Sequence, residues 1–322
     1  MKDRILGIME EHRGGFVSGG ELSRRLDVSR TAVWKHIEAL RQEGYAFEAV
    51  PKRGYRLVQT PDRIKADRLQ GLLRTKSFGR RLHIFETLDS TQTKAHELVA
   101  AGEPEGTLVI AEQQTMGRGR MGRSWHSPPG TGVYMTLVLK PRIPLHFTPQ
   151  LTLLAAVALN RGIQKVVDVP VMIKWPNDLL IGGKKISGIL LETSAEDERL
   201  RYIVAGMGIS VNLQPDDYPP ELKERATSLA IESGRRIDRE QLIASVLEQF
   251  EQLYDLYHEA GFAPIRTLWE AGSASLGRTV RVASPHGELE GVAEALDEHG
   301  GLVVRLPDGQ QTRIFSGEVE LR

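Results

Sequence analysis

Gly117-Arg118-Gly119-Arg120-Met121-Gly122-Arg123 is the stretch on which the fold turns. Read mechanically it contains G-x-G-x-x-G, the dinucleotide fingerprint, and would announce a doubly wound parallel sheet. That fingerprint must open directly into a helix whose N-terminus holds a pyrophosphate. Here Ser124-Trp125-His126-Ser127-Pro128-Pro129-Gly130 follows, and no long helix can start there. Three arginines in seven residues point elsewhere. Glycines let the backbone fold closely over a ligand, and arginines supply fixed charge and forked donors. Such a loop suits carboxylate and phosphate oxygens. Taken alone, a solvated basic surface loop is the commoner outcome, so its neighbours decide.

Around the loop, apolar periodicity predicts strands over 83–86, 108–113, 133–140, 171–174, 179–181, 186–192 and 201–211, and helices over 91–101, 149–167, 239–257 and 263–270. Hairpins mix with long helices without a βαβ rhythm, so a mixed sheet covered by helices is expected over residues 67–272. From Leu276 the pattern becomes short strands with turns, over 279–283, 287–296, 301–306, 312–315 and 318–321, with Asp308-Gly309 as a hairpin signal. Residues 273–322 read as a small SH3-like β-barrel.

At the other end, Ile5, Leu6, Ile8 and Met9 form the apolar side of a first helix. Ser18, three residues before Glu21, can make a capping box for a second. Asp27-Val28-Ser29 is a tight turn into a third, where Val33, Ile37 and Leu40 recur at helical spacing and leave Arg30, Thr31 and Lys35 outward. Residues 46–50 and 55–58 flank Pro51-Lys52-Arg53-Gly54, a short hairpin with a basic tip. Residues 1–60 are thus expected to form a winged helix-turn-helix, with a linker at 61–66. The whole is a multidomain α+β chain.

With 42 Lys+Arg against 42 Asp+Glu, the chain is no polycation, so any nucleic-acid contact must come from a local patch. Residues 1–60 hold 11 Lys+Arg against 8 Asp+Glu, a balance of +3, concentrated on the helix-turn-helix and hairpin. Docking geometry makes Arg30, Thr31, Lys35, Lys52 and Arg53 the candidates for DNA contact, with a protein-interaction winged helix as the alternative. The absence of cysteine excludes disulfides, zinc thiolates and cysteine nucleophiles. The nine histidines form no metal-ligand cluster and no Ser-His-Asp set, and no protein-held metal is expected. The start Met1-Lys2-Asp3-Arg4 lacks an apolar signal core and no apolar run is long enough to span a bilayer, so a cytoplasmic protein without a membrane partner is expected.

Four further segments change the balance for the loop. Asp89-Ser90-Thr91-Gln92 lies between a strand and a helix, and its hydroxyls can cap that helix or bind a neutral polar head group. Lys174-Trp175-Pro176-Asn177-Asp178 ends a strand in a turn. Lys185 leads into the apolar strand that contains Gly188-Ile189-Leu190. Gly206-Met207-Gly208-Ile209-Ser210-Val211-Asn212 is a strand with two glycines, a mark of close approach. In order and spacing, these segments with the loop and Trp125 resemble the biotin–protein ligases. Together with both terminal modules, they resemble the members that also act as biotin-operon repressors. Two departures stand out: Gln92 replaces the usual Asn, and Met121 takes a loop position that can be Arg.

The resemblance implies a class II synthetase-like catalytic domain and a two-step reaction. Biotin's carboxylate attacks the α-phosphorus of ATP, giving biotinyl-5′-AMP and pyrophosphate, and a lysine of a biotin carboxyl carrier protein then displaces AMP. It implies that Ser90, Thr91, Gln92 and Gln114 bind the ureido head or its surroundings, and that Arg118, Gly119 and Arg120 close over biotin. Lys185 would bridge carboxylate and α-phosphate, with Mg²⁺ accompanying ATP. Trp125, Asn177 and Asn212 fall on the nucleotide side, Trp125 either stacking on adenine or sealing the site. Asp178 either orients or deprotonates the acceptor amine or is a plain turn residue. The expected partners are biotin, ATP, the carrier, operator DNA, and a second copy of the chain in a homodimer promoted by biotinyl-5′-AMP. A lipoate–protein ligase, or a DNA-binding small-molecule sensor with an inactive ligase-like core, are the alternatives.

Overall fold

The computed structural model describes all of residues 1–322 except 13, 43, 44, 60, 61, 198, 285 and 286. It divides into two compact units, Met1–Arg63 and Ile64–Arg322. Thr60, at the end of the expected winged helix, and Pro61, at the start of the expected linker, lie outside the described residues.

The first unit holds α1 (Lys2–Glu11), α2 (Gly19–Leu26), α3 (Arg30–Gln42) and a hairpin of β1 (Ala46–Val50) and β2 (Gly54–Gln59). Ser18 Oγ accepts from the Glu21 amide at 3.1 Å and Ser29 Oγ from the Ala32 amide at 3.2 Å, so both helices start where the capping residues stand. Between them Asp27 takes the left-handed conformation that closes α2. Ile5, Leu22, Leu26, Val33, Ile37 and Leu40 meet in one core with Phe47 of the hairpin. Gly54 is required there: its φ is +104°, and a Cβ would lie 2.1 Å from the Val17 carbonyl, which accepts from the Tyr55 amide.

The second unit begins with α4 (Ala66–Leu72), β3 (Leu82–Leu88), α5 (Thr91–Ala100), β4 (Leu108–Gln114) and β5 (Gly132–Leu139). It continues with α6 (Thr148–Gln164), β6 (Met172–Lys174), β7 (Asp178–Ile181), β8 (Lys184–Glu196) and β9 (Arg199–Ser210). Last in this layer come α7 (Leu229–Ser233), α8 (Arg239–Ala260) and α9 (Ala263–Ala271). The sheet order is β3-β4-β5-β9-β8-β7-β6, with β3 and β4 parallel and the remaining neighbours antiparallel. Period-two alternation assigns the faces. Ile110, Leu137, Ile203 and Ala205 turn to the large core with α6, α8 and α9, while Val109, Val138 and Val204 turn to α5.

Buried carboxylates pin the ends of this layer. Glu112 accepts from the Ile64 amide at 2.6 Å and pairs with the fully buried Arg239 at 2.8 Å, which ties Ile64 into the second unit. Removing either charge would strand the other in the core, at a cost of about 3–5 kcal/mol. Glu251 accepts from the amides of Lys76, Ser77 and Phe78 at 2.6, 2.8 and 2.9 Å. Burial pushes its pKa up, but those donors outweigh burial and hold it below the usual carboxylate range.

The C-terminal module comprises β10 (Thr279–Ser284), β11 (Gly287–Leu296), β12 (Leu302–Arg305), β13 (Gln311–Ile314) and β14 (Glu318–Leu321). These make a five-stranded antiparallel sheet in the order β13-β12-β11-β10-β14. Its apolar side joins the large core through Val280, Val282, Leu302 and Val304. Trp175, 1 % exposed, seals that junction and donates its indole N–H to the Gly300 carbonyl. Among the described residues no helix is long and apolar enough to cross a membrane.

Candidate active site

Where β3 hands over to α5, Ser90 caps the helix, its hydroxyl accepting from the Gln92 amide at 3.2 Å. Capping thereby places Ser90, Thr91 and Gln92, all buried, at the mouth of one cleft. Gln114 at the end of β4 accepts from the Thr91 amide at 2.9 Å and from its hydroxyl at 3.1 Å, and donates to Ser127 Oγ. Thr136 donates its own hydroxyl to Thr91 Oγ1 at 2.8 Å. These polar groups are fixed in orientation by the protein. Gln92 Nε2 donates to the Leu190 carbonyl, while its Oε1 is buried beside Gly206 with no donor among the described residues.

The glycine-arginine loop closes on itself through bonds from the Trp125 amide to the Gly117 carbonyl and from the Gly119 amide to the Arg123 carbonyl. A Cβ on Gly117 would lie 2.6 Å from the Trp125 carbonyl. Its arginines fan out to separate partners. Arg118 donates to Glu192 at 2.9 Å, Arg120 to Asn177 Oδ1 at 2.9 Å, and Arg123 to Glu318 of β14. Burial pulls Arg120 below the ordinary guanidinium pKa, against the opposing pull of Asp178 and Glu318. It stays a cation at neutral pH.

Lys185 is held by its backbone from both sides. Its amide donates to the Arg225 carbonyl at 2.8 Å, and the Thr227 amide donates to its carbonyl at 3.0 Å. A register shift between β7 and β8 falls beside it. Its Nζ lies 2.6 Å from Asp178 Oδ1, a charge contact without hydrogen-bond geometry, and 5.4 Å from the centre of the Trp125 ring. The other Asp178 oxygen lies 3.4 Å from Lys174 Nζ. Gly188 and Gly208 face each other across β8 and β9, and the Trp125 ring lies against them. A Cβ at Gly208 would come within 2.5 Å of that indole.

The result is one cleft. Ser90, Thr91, Gln92, Gln114, Arg118, Gly119, Arg120, Trp125, Asn177 and Lys185 all line it. Asp178 stands behind Lys185, outside the lining. Asn212 is also outside: its amide donates to and accepts from the Ile237 backbone, at 2.9 Å each way. The Asn177 amide is engaged as well, accepting from Arg120 and donating to the Ile189 carbonyl. Met135, Ile189 and Met207 supply apolar lining; the last two lie within the quoted segments 188–190 and 206–212, while Met135 sits in a strand with no other signal.

In the first unit Arg30, Thr31 and Lys35 are exposed on α3, and Lys52 and Arg53 at the hairpin tip. Arg30, Lys35 and Lys52 hold no ion pair among the described residues. Arg53 lies over the Phe16 ring, 4.3 Å from its centre.

Three family models match in chain order: a helix-turn-helix domain over residues 2–56, the biotin/lipoate A/B protein ligase family over 84–210, and the biotin protein ligase C-terminal domain over 275–322. The bifunctional ligase/repressor BirA of Bacillus subtilis is 46 % identical over 100 % of this chain and 98 % of its own length. That of Escherichia coli is 29 % identical over 96 % of this chain and 94 % of its own. Among solved structures, the biotin protein ligase of Aquifex aeolicus in complex with biotin and ATP matches 76 % of this chain and 99 % of its own, with 31 % identity and a TM-score of 0.67. A full-length relative at that identity, with all three modules matched in the same order, shows that the chain belongs to the family of bifunctional biotin–protein ligases and repressors.

Proposed function

We propose that this protein joins biotin to a carrier protein through biotinyl-5′-AMP and represses transcription through its winged helix. The observation that carries the ligase is the arrangement of the cleft. One end offers the fixed hydroxyls and amides of Ser90, Thr91, Gln92 and Gln114, and Arg118, Arg120 and Lys185 supply cations to the same space. The unsatisfied Gln92 Oε1 matches a ligand that brings N–H donors, as a ureido ring does.

The first step needs no general base, since a carboxylic acid is already ionised at neutral pH. A carboxylate oxygen of biotin bonds to the α-phosphorus and the bond to pyrophosphate breaks. Repulsion between two anions is the obstacle, and positioned cations remove it. Lys185 is the bridging group, released from Asp178 when the anions arrive, while Arg120 closes over the new anhydride. Trp125 packs along the joined ligand, with Asn177 holding Arg120 rather than the nucleotide. Mg²⁺ belongs to this proposal only as the companion of ATP. The one carboxylate beside Lys185 is already shared between two ammonium groups, and the described residues offer no cluster of three or more acidic, His or Cys ligands.

In the second step the amine of the carrier lysine attacks the carbonyl carbon and AMP leaves. An amine of pKa about 10.4 must lose a proton first. Asp178, freed from Lys185, accepts from it. The winged helix docks α3 in the major groove with Arg30, Thr31 and Lys35 toward the bases, and Lys52 and Arg53 of the wing on flanking phosphate. A balance of +3 makes one copy a weak binder. A dimer promoted by biotinyl-5′-AMP gains effective concentration on two half-sites. Operator DNA and carrier as partners place it in the cytoplasm, with boundaries at 1–60, 67–272 and 273–322.

The decisive experiment incubates the protein with ATP, Mg²⁺ and biotin, or with lipoate in place of biotin, and looks for the adenylate by mass spectrometry. Biotinyl-5′-AMP is expected; lipoyl-AMP alone, or no adenylate, overturns the ligase reading. Sedimentation with and without biotinyl-5′-AMP tests the dimer, and unchanged mass would remove the switch while leaving the ligase.

A further inference from the structure

The start of the glycine-arginine loop is anchored by a carboxylate that the chemistry above does not use. Arg118 Nη2 donates to Glu192 Oε2 at 2.9 Å, and the same oxygen lies 3.2 Å from His96 Nε2. The other ring nitrogen of His96 is 3.1 Å from the Tyr202 hydroxyl. A carboxylate only accepts, so in the neutral ring Nε2 carries the proton and Nδ1 accepts from Tyr202. His96 and Tyr202 also meet edge to face, centroids 5.6 Å apart at 61°. Glu192 is therefore braced from behind by two residues while it holds Arg118 in front.

The brace is in register with the cleft. Gln92 of α5 donates to the Leu190 carbonyl of β8, and four residues along the helix His96 meets Glu192, two residues along the strand. Four helical residues advance about 6 Å and two strand residues about 6.6 Å, so the rungs match. Gly188 and Leu190 line the cleft, and Glu192 follows them on the same face of the strand, at its rim. An isolated exposed ion pair contributes little. Here the acceptor is held by His96, itself held by Tyr202, and the arginine it fixes lines the same cleft as Ser90, Thr91 and Gln114, with Gly117 just before it packed against Gln114.

We propose that Glu192, held by His96 with Tyr202 behind it, is a positioning residue that latches Arg118, and with it the loop from Gly117, over the cleft when the loop closes on ligand. A contact made only by the closed loop favours the liganded state over the open one and slows release of the ligand. The inference rests on the biotin-ligase reading. It concerns capture of biotin and retention of its adenylate rather than binding of ATP.

The test uses the full-length protein with Glu192→Gln, Glu192→Asp and Arg118→Ala, singly and with Glu192→Gln and Arg118→Ala combined. The readouts are KM for biotin, KM for ATP and the dissociation rate of biotinyl-5′-AMP. Glu192→Gln should raise the biotin KM and the dissociation rate about tenfold, as expected for loss of one charge-assisted hydrogen bond of the closed loop, with the ATP KM changed less than about twofold. Glu192→Asp should recover part of the loss, and Arg118→Ala should add little to Glu192→Gln because both remove one contact. Wild-type values in Glu192→Gln overturn the inference. So do fully additive effects of the two substitutions, or biotin and ATP constants that rise together with a lower melting temperature. A wild-type protein that makes no biotinyl-5′-AMP overturns the ligase reading and this inference with it; a wild-type that makes it, beside an unaffected Glu192→Gln, overturns this inference alone.

Discussion

The cations at the start of α3 and at the hairpin tip and those of the cleft are arranged in opposite ways. On α3 and the hairpin tip, Arg30, Lys35 and Lys52 stand exposed with no ion pair among the described residues. Around the cleft, Lys185 meets Asp178, Arg120 meets Asn177, Arg118 meets Glu192 and Arg123 meets Glu318. The difference follows from the ligand. A nucleic acid brings a row of phosphates and releases counterions, so mobile surface charge suffices. Two small anions that must touch each other need charge whose direction is settled beforehand. Loose charge supplies salt-dependent affinity, and anchored charge supplies rate.

The contrast can be broken first at Lys185. Lys185→Ala should lower ATP–pyrophosphate exchange on the order of 10²-fold or more, with the fold intact by circular dichroism. A folded variant with near-normal exchange would show that anchored charge there is not catalytic. Next, replacing Arg118 and Arg120 together by Ala should speed loss of biotinyl-5′-AMP roughly tenfold or more while changing ATP binding less. The loop over 117–123 should resist protease only when biotin and ATP are present; equal cleavage with and without them refutes the ordering. On the other side, Lys52→Ala should lower the salt slope of DNA binding by about 1 and weaken all sequences alike. Arg30→Ala should relax discrimination by about 1–3 kcal/mol per contacted base pair. The measurement is binding to duplexes selected by the full-length protein across a salt series, with adenylate formation unchanged in both variants. A loss of exchange in either would dissolve the contrast.

The smallest effect concerns pH. Glu251 has a folded pKa held below the ordinary value by three backbone donors, against burial. Its contribution is therefore complete above the unfolded pKa and disappears as pH falls through the lower folded one. The stability advantage of the wild type over Glu251→Gln should shrink on acidification below about pH 4. An advantage independent of pH would mean that the Gln amide satisfies the same three donors.

What could be read without coordinates was whatever is encoded locally. Ser18 and Ser29 announce their helices within three residues, and the apolar run from Leu108 marks a strand, though not which face each side chain takes. The run from Ser90 to Gln92 and the loop at 117–123 could be named because their chemistry is packed into a few positions. Contacts across long separations could not be read. Glu192 finds His96 across 96 residues and Glu112 finds Arg239 across 127, and neither pair leaves a local trace. The five-residue helix α7 is too short to show a period. Asn212 is a different case: the Gly-rich strand before it does meet the cleft through Gly206 and Gly208, but its own amide bonds the backbone of Ile237, 25 residues further on.

Residues 225–227 touch neither anion, yet through backbone alone they decide where Lys185 starts from. Main-chain bonds are indifferent to side-chain identity, so Arg225 and Ala226 can drift in sequence without disturbing the aim of the lysine. What they cannot change is length. One residue inserted between Leu222 and Thr227 would slide the clamp by a step and turn Lys185 away from the ligand with every functional side chain still in place. Surveys that track substitutions would report such a variant as unaltered at its active site; only a count of residues would show why it is dead.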